Sequence, residues 1–368
     1  MAVAAVIGHS RRRPAGPKSA HPIFGAGVAM RYLDHLRTTH GITDSRITAD
    51  LTVRDGRLWF RDLDLAALSH EHGTPLEIAY LPVIGDRVRA MVDAFTAARA
   101  ATGYGGGFVY AYASKANTAA EVVGAALAAG AHYECSSAFD LDIVRLLRRA
   151  GRLPSERLVL CNGFKTPAYA RKILRLRGEG LTGIVPILDD PRELRLFGGA
   201  RHPLLLGIRQ RIGLEVTDHA GLERVESRFG MSFTAAEALA AEIERRPRLR
   251  FALYHAMLGS QVEDVDAFLR ALRVAAGCWA RLRRRHEGLR YLDIGGGMPV
   301  PYRLGFRFDY GEVARRALAV VRDECAALGV PEPDIVGEFG RYTAAEHGFH
   351  IFRVIGEKPV AVPVLPDT

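Results

Sequence analysis

Residues 108–135 read FVYAYASKANTAAEVVGAALAAGAHYEC and follow a strand-helix-strand pattern. The runs Phe108–Tyr112 and His132–Cys135 have the short, β-rich character of buried strands. Between them, AAEVVGAALAAG repeats its apolar residues at helical spacing. The stretch therefore predicts one β-α-β unit, with Lys115 directly after its first strand.

The same alternation continues along the chain. Six more β-rich runs occur, and a helix-period segment follows each of the first seven runs of the eight. The further runs are residues 158–161, 183–188, 204–208, 249–255, 289–294 and 334–338. Eight strands alternating with helices predict an α/β protein with a closed, TIM-like (β/α)8 barrel. A doubly wound open sheet is the alternative, because one sequence does not reveal the order of its strands.

The remaining segments predict a partial second β-domain built from N-terminal and C-terminal strands. The run Ile47–Phe60 is typical of a hairpin with Asp55-Gly56 as its turn, and Phe349–Ile355 is one more strand-like run. The predicted parts are a poorly ordered basic tail over 1–40, N-terminal strands over 41–75, the barrel over 76–345 and a C-terminal segment over 346–368.

Length and composition narrow the classes of protein that fit. The chain has 368 residues and a mass of 40.2 kDa, with 48% hydrophobic and 25% charged residues. These values are typical of globular proteins and exclude a disordered chain. No apolar run long enough for a membrane span is present, so no membrane partner is expected. The apolar residues of the opening MAVAAVIGHSRRRP precede its arginines, the reverse of a secretory signal.

The cysteines indicate a reducing compartment. Cys135, Cys161, Cys278 and Cys325 are widely spaced and form no paired motif, so neither a disulfide framework nor a zinc site is predicted. His70-Glu71-His72 lacks the helical spacing of a metal-binding motif, and we predict no metal site. The expected location is the cytoplasm.

The net charge of +9 does not indicate a nucleic-acid partner. Only five of the 50 basic residues are lysines, and the arginines are spread over predicted helix faces without an aromatic-interleaved stripe. In such a chain, a lysine inside an apolar segment suggests a need for an amine. An amine can lose its proton and attack a carbonyl, whereas a guanidinium cannot. Lys115 is the lysine that meets this description.

Polar residues and glycines collect just past the carboxyl ends of the predicted strands, where barrel enzymes place their catalytic groups. These residues are Lys115, Glu134, Asn162, Arg209, His255, Ser260, Gly295, Gly296, Gly297, Glu338 and Arg341. Their shared placement predicts a site at this end of the barrel.

Gly295-Gly296-Gly297 is the strongest single element of the set. Glycines between a strand and a helix let backbone N–H groups approach an anion, and the loops after strands seven and eight are the usual phosphate site of barrels. Arg341 on the next loop and the Ser260 hydroxyl are candidates to bind the same phosphate. A tight turn without a ligand is the alternative.

A phosphate site, a lysine and a carboxylate together suggest pyridoxal 5'-phosphate as cofactor. That cofactor needs an amine for its Schiff base, a phosphate cradle and a group that tunes its pyridine nitrogen. Lys115 would supply the amine, and Glu338 would keep the nitrogen protonated. Taken singly, Lys115 also fits a surface lysine, and Glu338 fits an ion-pair partner of a barrel arginine.

Eight motifs, in order along the chain, resemble those of the fold-type III pyridoxal-phosphate decarboxylases. They are TPLEIAY (74–80), YAYASKAN (110–117), YECSSAFDLDIV (133–144), LVLCNGFK (158–165), SRFGM (227–231), LGSQ (258–261), DIGGG (293–297) and EFGRY (338–342). The family includes ornithine, diaminopimelate and biosynthetic arginine decarboxylases and barrels of the alanine racemase type. The resemblance covers about Thr74 to Glu357, and LVLCNGFK is most similar to the arginine decarboxylase branch.

The resemblance implies a role for each candidate. Lys115 matches the Schiff-base lysine, and Glu338 matches the carboxylate at the pyridine nitrogen. His255 matches the first of two histidines on the sixth strand, and we predict it, with Lys115, as a catalytic residue. The matched phosphate ligands are Ser260, Gly295, Gly296, Gly297 and Arg341, and the residues matched to the cofactor pocket are Glu134 and Arg209.

The resemblance also implies a reaction and a partner. The expected reaction is decarboxylation of a basic amino acid such as arginine or ornithine, or of diaminopimelate, by a homodimer whose active sites form between subunits. Two alternatives stay open: a non-catalytic or regulatory relative that binds the cofactor, and a racemase-like barrel. Racemisation and decarboxylation share this machinery, so the sequence does not separate them.

Three departures from the family pattern bear on activity. Met257 occupies the place of the second histidine, which stacks on the cofactor ring, and a thioether packs on a ring but donates no proton. Phe339 replaces the usual proline before Gly340. The family's C-terminal β-domain, which supplies a cysteine and a tyrosine to the site, extends well past Thr368. We therefore expect a truncated chain in which 346–368 are a remnant of that domain.

Overall fold

The computed structural model describes residues 50–54, 57–212, 229–302 and 306–358. The tail predicted over 1–40 and the turn Asp55-Gly56 lie outside these residues. The chain divides into two compact units. The first consists of the described residues within 1–79, 301–307 and 348–368, and the second consists of those within 80–300 and 308–347.

The first unit contains two small antiparallel sheets. One sheet has strands β1 (Leu51–Arg54), β2 (Arg57–Phe60) and β3 (Leu63–Asp64), and the other pairs β4 (Leu76–Ala79) with β13 (Gly348–Ile351). The antiparallel pairing of β1 with β2 agrees with the predicted hairpin. Asp64 begins helix α1 (Leu65–His72) by accepting hydrogen bonds from the N–H groups of the second and third residues after it.

The second unit is a closed barrel of eight parallel strands. They are β5 (Phe108–Ala113), β6 (His132–Cys135), β7 (Val159–Cys161), β8 (Ile184–Leu188), β9 (Leu204–Gln210), β10 (Leu249–Ala256), β11 (Tyr291–Asp293) and β12 (Asp334–Glu338). Each strand pairs with the next along the chain, and β12 pairs with β5 to close the barrel. The predicted barrel is therefore confirmed, and the doubly wound open sheet is wrong.

Helices connect the strands. They are α2 (Pro82–Thr102), α3 (Ala120–Ala128), α4 (Asp140–Arg149), α5 (Pro167–Gly178), α6 (Phe233–Glu244), α7 (Val265–Arg283), α8 (Tyr310–Leu328) and α9 (Gly340–Ala344). The connection after β8 differs from the prediction, because a 3-10 helix, Pro191–Phe197, takes the place of an α-helix. Gly198-Gly199 stop it after seven residues. Across the described residues, no helix has both the length and the apolar character needed to cross a bilayer.

Two apolar clusters stabilise the barrel. The inner cluster consists of strand residues and of Leu158, directly before β7. Its members are Ala111, Leu158, Leu160, Val185, Ile187, Leu253 and Val336. The outer cluster joins strand residues such as Ile335 to helix residues such as Trp279. Successive residues of a strand face opposite sides, so adjacent Ile335 and Val336 belong to different clusters.

Several arginines bind main-chain carbonyls where neighbouring β-α units meet. Arg157 donates to the carbonyl oxygens of Gly130 and Ala131 at 2.6 and 3.0 Å. Three more such bonds run from Arg148 to Glu179 at 3.1 Å, from Arg177 to Pro203 at 2.7 Å and from Arg322 to Thr102 at 2.8 Å. Carbonyls at helix ends lack helical donors, and the five N–H groups of a guanidinium can satisfy them. Part of the arginine excess therefore has a structural use.

We expect Trp279→Ala to lower the free energy of unfolding by about 3–5 kcal/mol, because it empties a buried site in the outer cluster. The Trp279 side chain is 1% exposed, and its indole N–H donates to the Tyr291 carbonyl at 3.1 Å. Val274→Ala on the same helix is the matched control. Val274 is 52% exposed, so its truncation should change stability by less than about 0.5 kcal/mol. Urea denaturation checks both values, and similar effects of the two changes would contradict the packing of α7.

Candidate active site

The barrel places a layer of polar side chains directly beyond its inner cluster. Every second residue of a barrel strand faces the interior. Leu160 and Val336 are inner-cluster residues, so Asn162 and Glu338, two positions later, also face inward. Seven successive strands, β6 to β12, have a polar residue in this position. These residues, which we name the polar ring, are Glu134, Asn162, Asp189, Arg209, His255, Asp293 and Glu338.

Lys115 lies beside the polar ring, in a 3-10 helix, Ser114–Ala116, that follows β5. Its side chain is 55% exposed, and Nζ lies 3.5 Å from Oε2 of the fully buried Glu134. Burial by itself would lower the pKa of Lys115. The negative charges of Glu134 and Glu338 outweigh that effect and raise the pKa. The amine is therefore a cation held by carboxylates, with one side open to solvent.

Asn162 joins two carboxylates of the polar ring. Its Nδ2 donates to Glu134 Oε1 at 2.9 Å and to Glu338 Oε1 at 2.7 Å. Ser136 Oγ donates to the same Glu134 oxygen at 2.9 Å. A chain of polar contacts thus runs from Lys115 through Glu134 and Asn162 to Glu338.

Glu338 and Asp293 are neighbouring buried acids. Burial raises the pKa of Glu338 to about 7, and the charge of Glu134 adds to the effect. Burial and the charge of Glu338 raise the pKa of Asp293 well above its ordinary value. Asp293 Oδ1 accepts a bond from the Gly295 N–H at 2.8 Å. Asp293 Oδ2 and Glu338 Oε2 receive no nitrogen or hydroxyl donor from the described residues. If one of the two carboxyls is protonated, it can donate a hydrogen bond to the other.

His255 is a neutral, buried member of the polar ring. Its Nε2 lies 3.9 Å from Glu338 Oε2, and neither ring nitrogen has a hydrogen-bond partner within the described part of the chain. Burial lowers the pKa of His255 well below its ordinary value, and the positive charges of Arg209 and Lys115 act in the same direction. The imidazole can therefore accept or donate a hydrogen bond to a ligand without carrying charge.

The same region also has the chemistry of a metal site. Ligand atoms of His255, Asp293 and Glu338 all lie within 4.8 Å of one another, and all three side chains are buried. Histidine and carboxylate ligands of this kind suit several divalent ions. The sequence contains no metal-binding motif around them, and the absence of a metal site stays a prediction.

Arg209 occupies the polar ring on β9, in register with His255 on β10. Its Nη1 lies 3.4 Å from Asp189 Oδ1, and its guanidinium lies 4.8 Å from the centre of the Phe229 ring. Asp189 Oδ1 also accepts a hydrogen bond from the Gly230 N–H at 3.1 Å. With 11% of its side chain exposed, Arg209 is a positioned positive charge at the barrel mouth.

The triple glycine follows β11, between the loops that carry Ser260 and Arg341. Gly295 and Gly297 have positive φ angles of 68° and 102°, which favour glycine. A Cβ at Gly297 would lie 3.1 Å from a main-chain oxygen of the loop after β10, and one at Gly296 would lie 3.0 Å from a main-chain oxygen at the end of β12. The Ser260 and Arg341 residues are exposed. Three neighbouring loops therefore bring together the residues predicted to bind phosphate.

Gln261 joins two of these loops. Its Nε2 donates to the Val300 carbonyl at 2.6 Å, and its Oε1 accepts from the Val300 N–H at 3.0 Å. The Val262 N–H also donates to the Gly297 carbonyl at 3.0 Å. These bonds fix the segment that carries Ser260 relative to the triple glycine.

The two substituted family positions have different surroundings. A Cβ at Gly295 would lie 2.9 Å from Met257 Sδ and 3.4 Å from His255 Nε2, so the thioether lies at the edge of the polar ring. The Phe339 side chain is 1% exposed, and its ring centre lies 5.4 Å from that of Tyr110. Met257 is therefore part of the candidate site, whereas the Phe339 side chain is part of the core.

Sequence reasoning assigned no role to three buried polar residues of this region. Asn162 and Asp293 belong to the polar ring, and Lys165 is fully buried behind β7. Lys165 Nζ donates to the Gly163 carbonyl at 2.5 Å and lies 3.8 Å from Glu193 Oε2. Asn162 belonged to the predicted set without a role, and strand alternation was the signal that could have identified Asp293, which follows the inner-facing Tyr291 by two positions. No comparable signal marks Lys165.

Sequence comparison identifies the family. The family model for the pyridoxal-binding domain of pyridoxal-dependent decarboxylases matches residues 89–345. A biosynthetic arginine decarboxylase of Alkalilimnicola ehrlichii is 31% identical over 324 residues, which are 80% of this chain and 49% of the relative. One from Escherichia coli K12 is 24% identical over 314 residues, 79% of this chain and 46% of the relative. The chain spans about half the length of these relatives.

Solved structures share the fold. The biosynthetic arginine decarboxylase of Campylobacter jejuni superposes with a TM-score of 0.68 at 21% identity, over 81% of this chain and 51% of that chain. A diaminopimelate decarboxylase of M. jannaschii gives 0.67 at 20% identity, over 82% of this chain and 68% of that chain. The matched residues 89–345 contain Lys115 and the whole polar ring. The chain belongs to the family of pyridoxal-dependent decarboxylases.

Proposed function

We propose that the chain forms the pyridoxal 5'-phosphate site of a decarboxylase for a basic amino acid such as arginine or ornithine, or for diaminopimelate. The names of the relatives support decarboxylation and favour arginine. The family resemblance adds ornithine and diaminopimelate to the class. The observation that carries the proposal is the partly exposed Lys115 cation beside the buried carboxylates of Glu134 and Glu338.

The residues fit pyridoxal phosphate on three counts. Lys115 offers an amine that reaches solvent. Both nitrogens of His255 and one oxygen of Glu338 are buried without a nitrogen or hydroxyl donor or acceptor from the described chain, so a bound ring with polar substituents would meet their needs. Gly295 and Gly297 have positive φ angles, which also occur in the backbone of anion-binding loops.

The reaction would use several residues of this site. Bound pyridoxal phosphate supplies an electron sink for the bond to the substrate carboxylate. In our proposal Lys115 would hold the cofactor through Nζ, and Glu134 would orient that amine. Glu338 holds a proton at the pyridine nitrogen, and neutral His255 contacts the ring. Arg209 supplies a fixed positive charge that offsets the buried carboxylates.

The protonation of Glu338 is suited to that role. Its pKa of about 7 in the chain alone means that it is partly protonated near neutral pH. A cationic N–H placed beside it would favour the ionised form, because an opposite charge lowers the pKa of a carboxyl. Glu338 could therefore interact with the ring nitrogen either as a protonated donor or as an anion beside a protonated nitrogen.

The phosphate would bind over three neighbouring loops. We assign it to the N–H groups of Gly295, Gly296 and Gly297, with the Ser260 hydroxyl and the Arg341 guanidinium on either side. Backbone donors and a guanidinium form charge-assisted hydrogen bonds with phosphate oxygens. The bonds of the Gln261 side chain to Val300 support this assignment, since they fix the Ser260 loop before any ligand arrives.

We also propose a homodimer in the cytoplasm. Support for the dimer comes from the family resemblance. Support for a reducing compartment comes from the cysteines, all four of which are free and buried. The Cys135 and Cys161 sulfur atoms lie 3.8 Å apart as thiols, not as a disulfide, which is expected where thiols stay reduced.

A relative that binds the cofactor without turnover is the second candidate, and Met257 is the observation that favours it. Met257 lies next to Gly295 and His255, where the family resemblance implies a histidine. A methionine can pack against a ring but cannot move a proton. This candidate shares the cofactor site with the first and differs from it in lacking catalysis.

Lys115→Ala should abolish the visible absorption band that forms when the protein is incubated with pyridoxal phosphate and freed of excess cofactor. The band depends on a covalent link to a lysine amine. Lys172→Ala is the matched control, because Lys172 lies on α5 and pairs with Asp142 at 2.6 Å. It should keep the band. A colourless wild-type protein would contradict both candidates.

Release of carbon dioxide separates the two candidates. With the band present, we expect release from arginine, ornithine or diaminopimelate, measured with each labelled at the carboxyl carbon. A band without release from any of the three would favour the relative that binds without turnover. Loss of optical activity without release would favour the racemase-like barrel.

Glu338→Gln should stabilise the protein without cofactor at high pH and leave its stability unchanged at low pH. Folded Glu338 keeps its proton up to about pH 7, whereas an ordinary glutamate loses it near 4.5. Wild-type stability therefore falls as pH rises through this window, and glutamine removes the fall. The gain should reach roughly 3 kcal/mol near pH 8 and vanish below about pH 4.5. Urea denaturation at both pH values tests this, with exposed Glu287→Gln as control. A loss of stability near pH 8 would show that Glu338 is buried as a favourable anion.

A further inference from the structure

We propose that Asn162 is a positioning residue of this site, whose single amide nitrogen holds the carboxyl groups of Glu134 and Glu338 in place. The inference rests on the proposed function, because it concerns the groups that would orient Lys115 and the pyridine nitrogen. Asn162 itself need not touch the cofactor or the substrate.

The geometry of the amide supports this role. A primary amide has two N–H groups on one nitrogen, and they point in different directions. In Asn162 one N–H donates to Glu134 Oε1 at 2.9 Å and the other to Glu338 Oε1 at 2.7 Å. Both acceptors are buried carboxylates, for which charge-assisted hydrogen bonds are the strongest available compensation. Asn162 therefore fixes both Glu134, which lies near the Lys115 amine, and Glu338, which we assign to the ring nitrogen.

The backbone on either side of Asn162 is held firmly. The Asn162 N–H donates to the Cys135 carbonyl at 2.8 Å. Gly163 has a φ of 70°, and a Cβ there would lie 2.3 Å from the Ser136 carbonyl oxygen. Only glycine therefore fits at this position. A residue placed so tightly is suited to aim a side chain.

Lys165 holds the same segment from behind. Its buried Nζ donates to the carbonyls of Gly163, at 2.5 Å, and of Ile187. The backbone N–H of Lys165 donates to Glu193 Oε1 at 2.9 Å, and the Asp189 N–H donates to Glu193 Oε2 at 3.1 Å. This buried pair joins the loops after β7 and β8, which gives Asn162 a rigid support.

Several charged or titratable groups around Glu338 act on its pKa together with the Asn162 hydrogen bond. Glu134 on β6 raises the pKa of Glu338, and Lys115 after β5 lowers it. Asp293 on β11 shares the buried acid pair, and neutral His255 on β10 lies 3.9 Å away. The Asn162 hydrogen bond acts with Lys115 to favour the anion. Its removal should raise the pKa of Glu338.

The test is an infrared pH titration of the Glu338 carboxyl in protein without cofactor, with Glu338→Gln used to identify its band. Asn162→Leu keeps the volume of the side chain and removes both donors, and Asn162→Ala serves if the leucine variant does not fold. We expect the midpoint to rise by about one pH unit or more, since hydrogen bonds to charged groups have that effect. An unchanged midpoint would overturn the inference.

Ser136→Ala is the matched control. It removes the other donor to Glu134 Oε1 without touching Glu338. Because this change takes no hydrogen-bond donor away from Glu338, the Glu338 midpoint should not rise. A rise equal to that of the Asn162 variants would reduce Asn162 to a general structural role and overturn the inference.

The cofactor band keeps this test separate from that of the proposed function. Both proposals stand if the wild type forms the band and the infrared midpoint of Glu338 rises in Asn162→Leu but not in Ser136→Ala. If the wild type forms no band, the proposed function fails, while the infrared titration still decides whether Asn162 holds the two carboxylates. If the band forms and neither variant shifts the Glu338 midpoint from its wild-type value, only the role of Asn162 fails.

Discussion

Three carboxylates buried in one barrel mouth are the constraint on which the rest of the site depends. Glu134, Asp293 and Glu338 are each at most 3% exposed. Buried like charges are unfavourable unless protons, hydrogen-bond donors or cations compensate them. Lys115 provides the cation and Asn162 the donor, and the raised pKa values of Asp293 and Glu338 favour a proton on that pair, which would remove a further charge. Each partner is therefore needed by the others, which is why truncating one should disturb the whole site.

Burial acts in opposite directions on acids and bases, and the site uses both effects. It raises the pKa of Glu338 and Asp293, and it lowers that of His255. Near neutral pH the mouth therefore holds a neutral imidazole and a proton-sharing acid pair. Such a site can adjust to a ligand that carries a cationic nitrogen when the acid pair loses one proton, because an opposite charge lowers the pKa of a carboxyl.

Strand alternation made the barrel and most of the candidate residues predictable, and β6 and β12 have the predicted limits. Buried parallel strands are nearly continuous apolar runs, so a polar residue at their end stands out. The contacts of Asn162 were not predictable in this way. Strand β7 is not a neighbour of β12, and the bond between Asn162 and Glu338 depends on the width and stagger of the closed barrel. The 3-10 helix after β8 was also missed, because its short span between Pro191 and Gly198 resembles the start of an ordinary helix.

Alternate residues of each strand face the barrel interior, and this alternation determines both its packing and its polar site. On β12, Ile335 packs outward, whereas Val336 and Glu338 face inward. A shift of one residue would turn Glu338 toward the helices and place Ile335 in the interior, so the inner cluster and the polar ring would be lost together. The loops beyond the strands carry no such constraint. Changes in substrate or reaction are therefore most easily made at loop positions such as Met257, while the carboxylates, His255 and Asn162 stay where the barrel requires them.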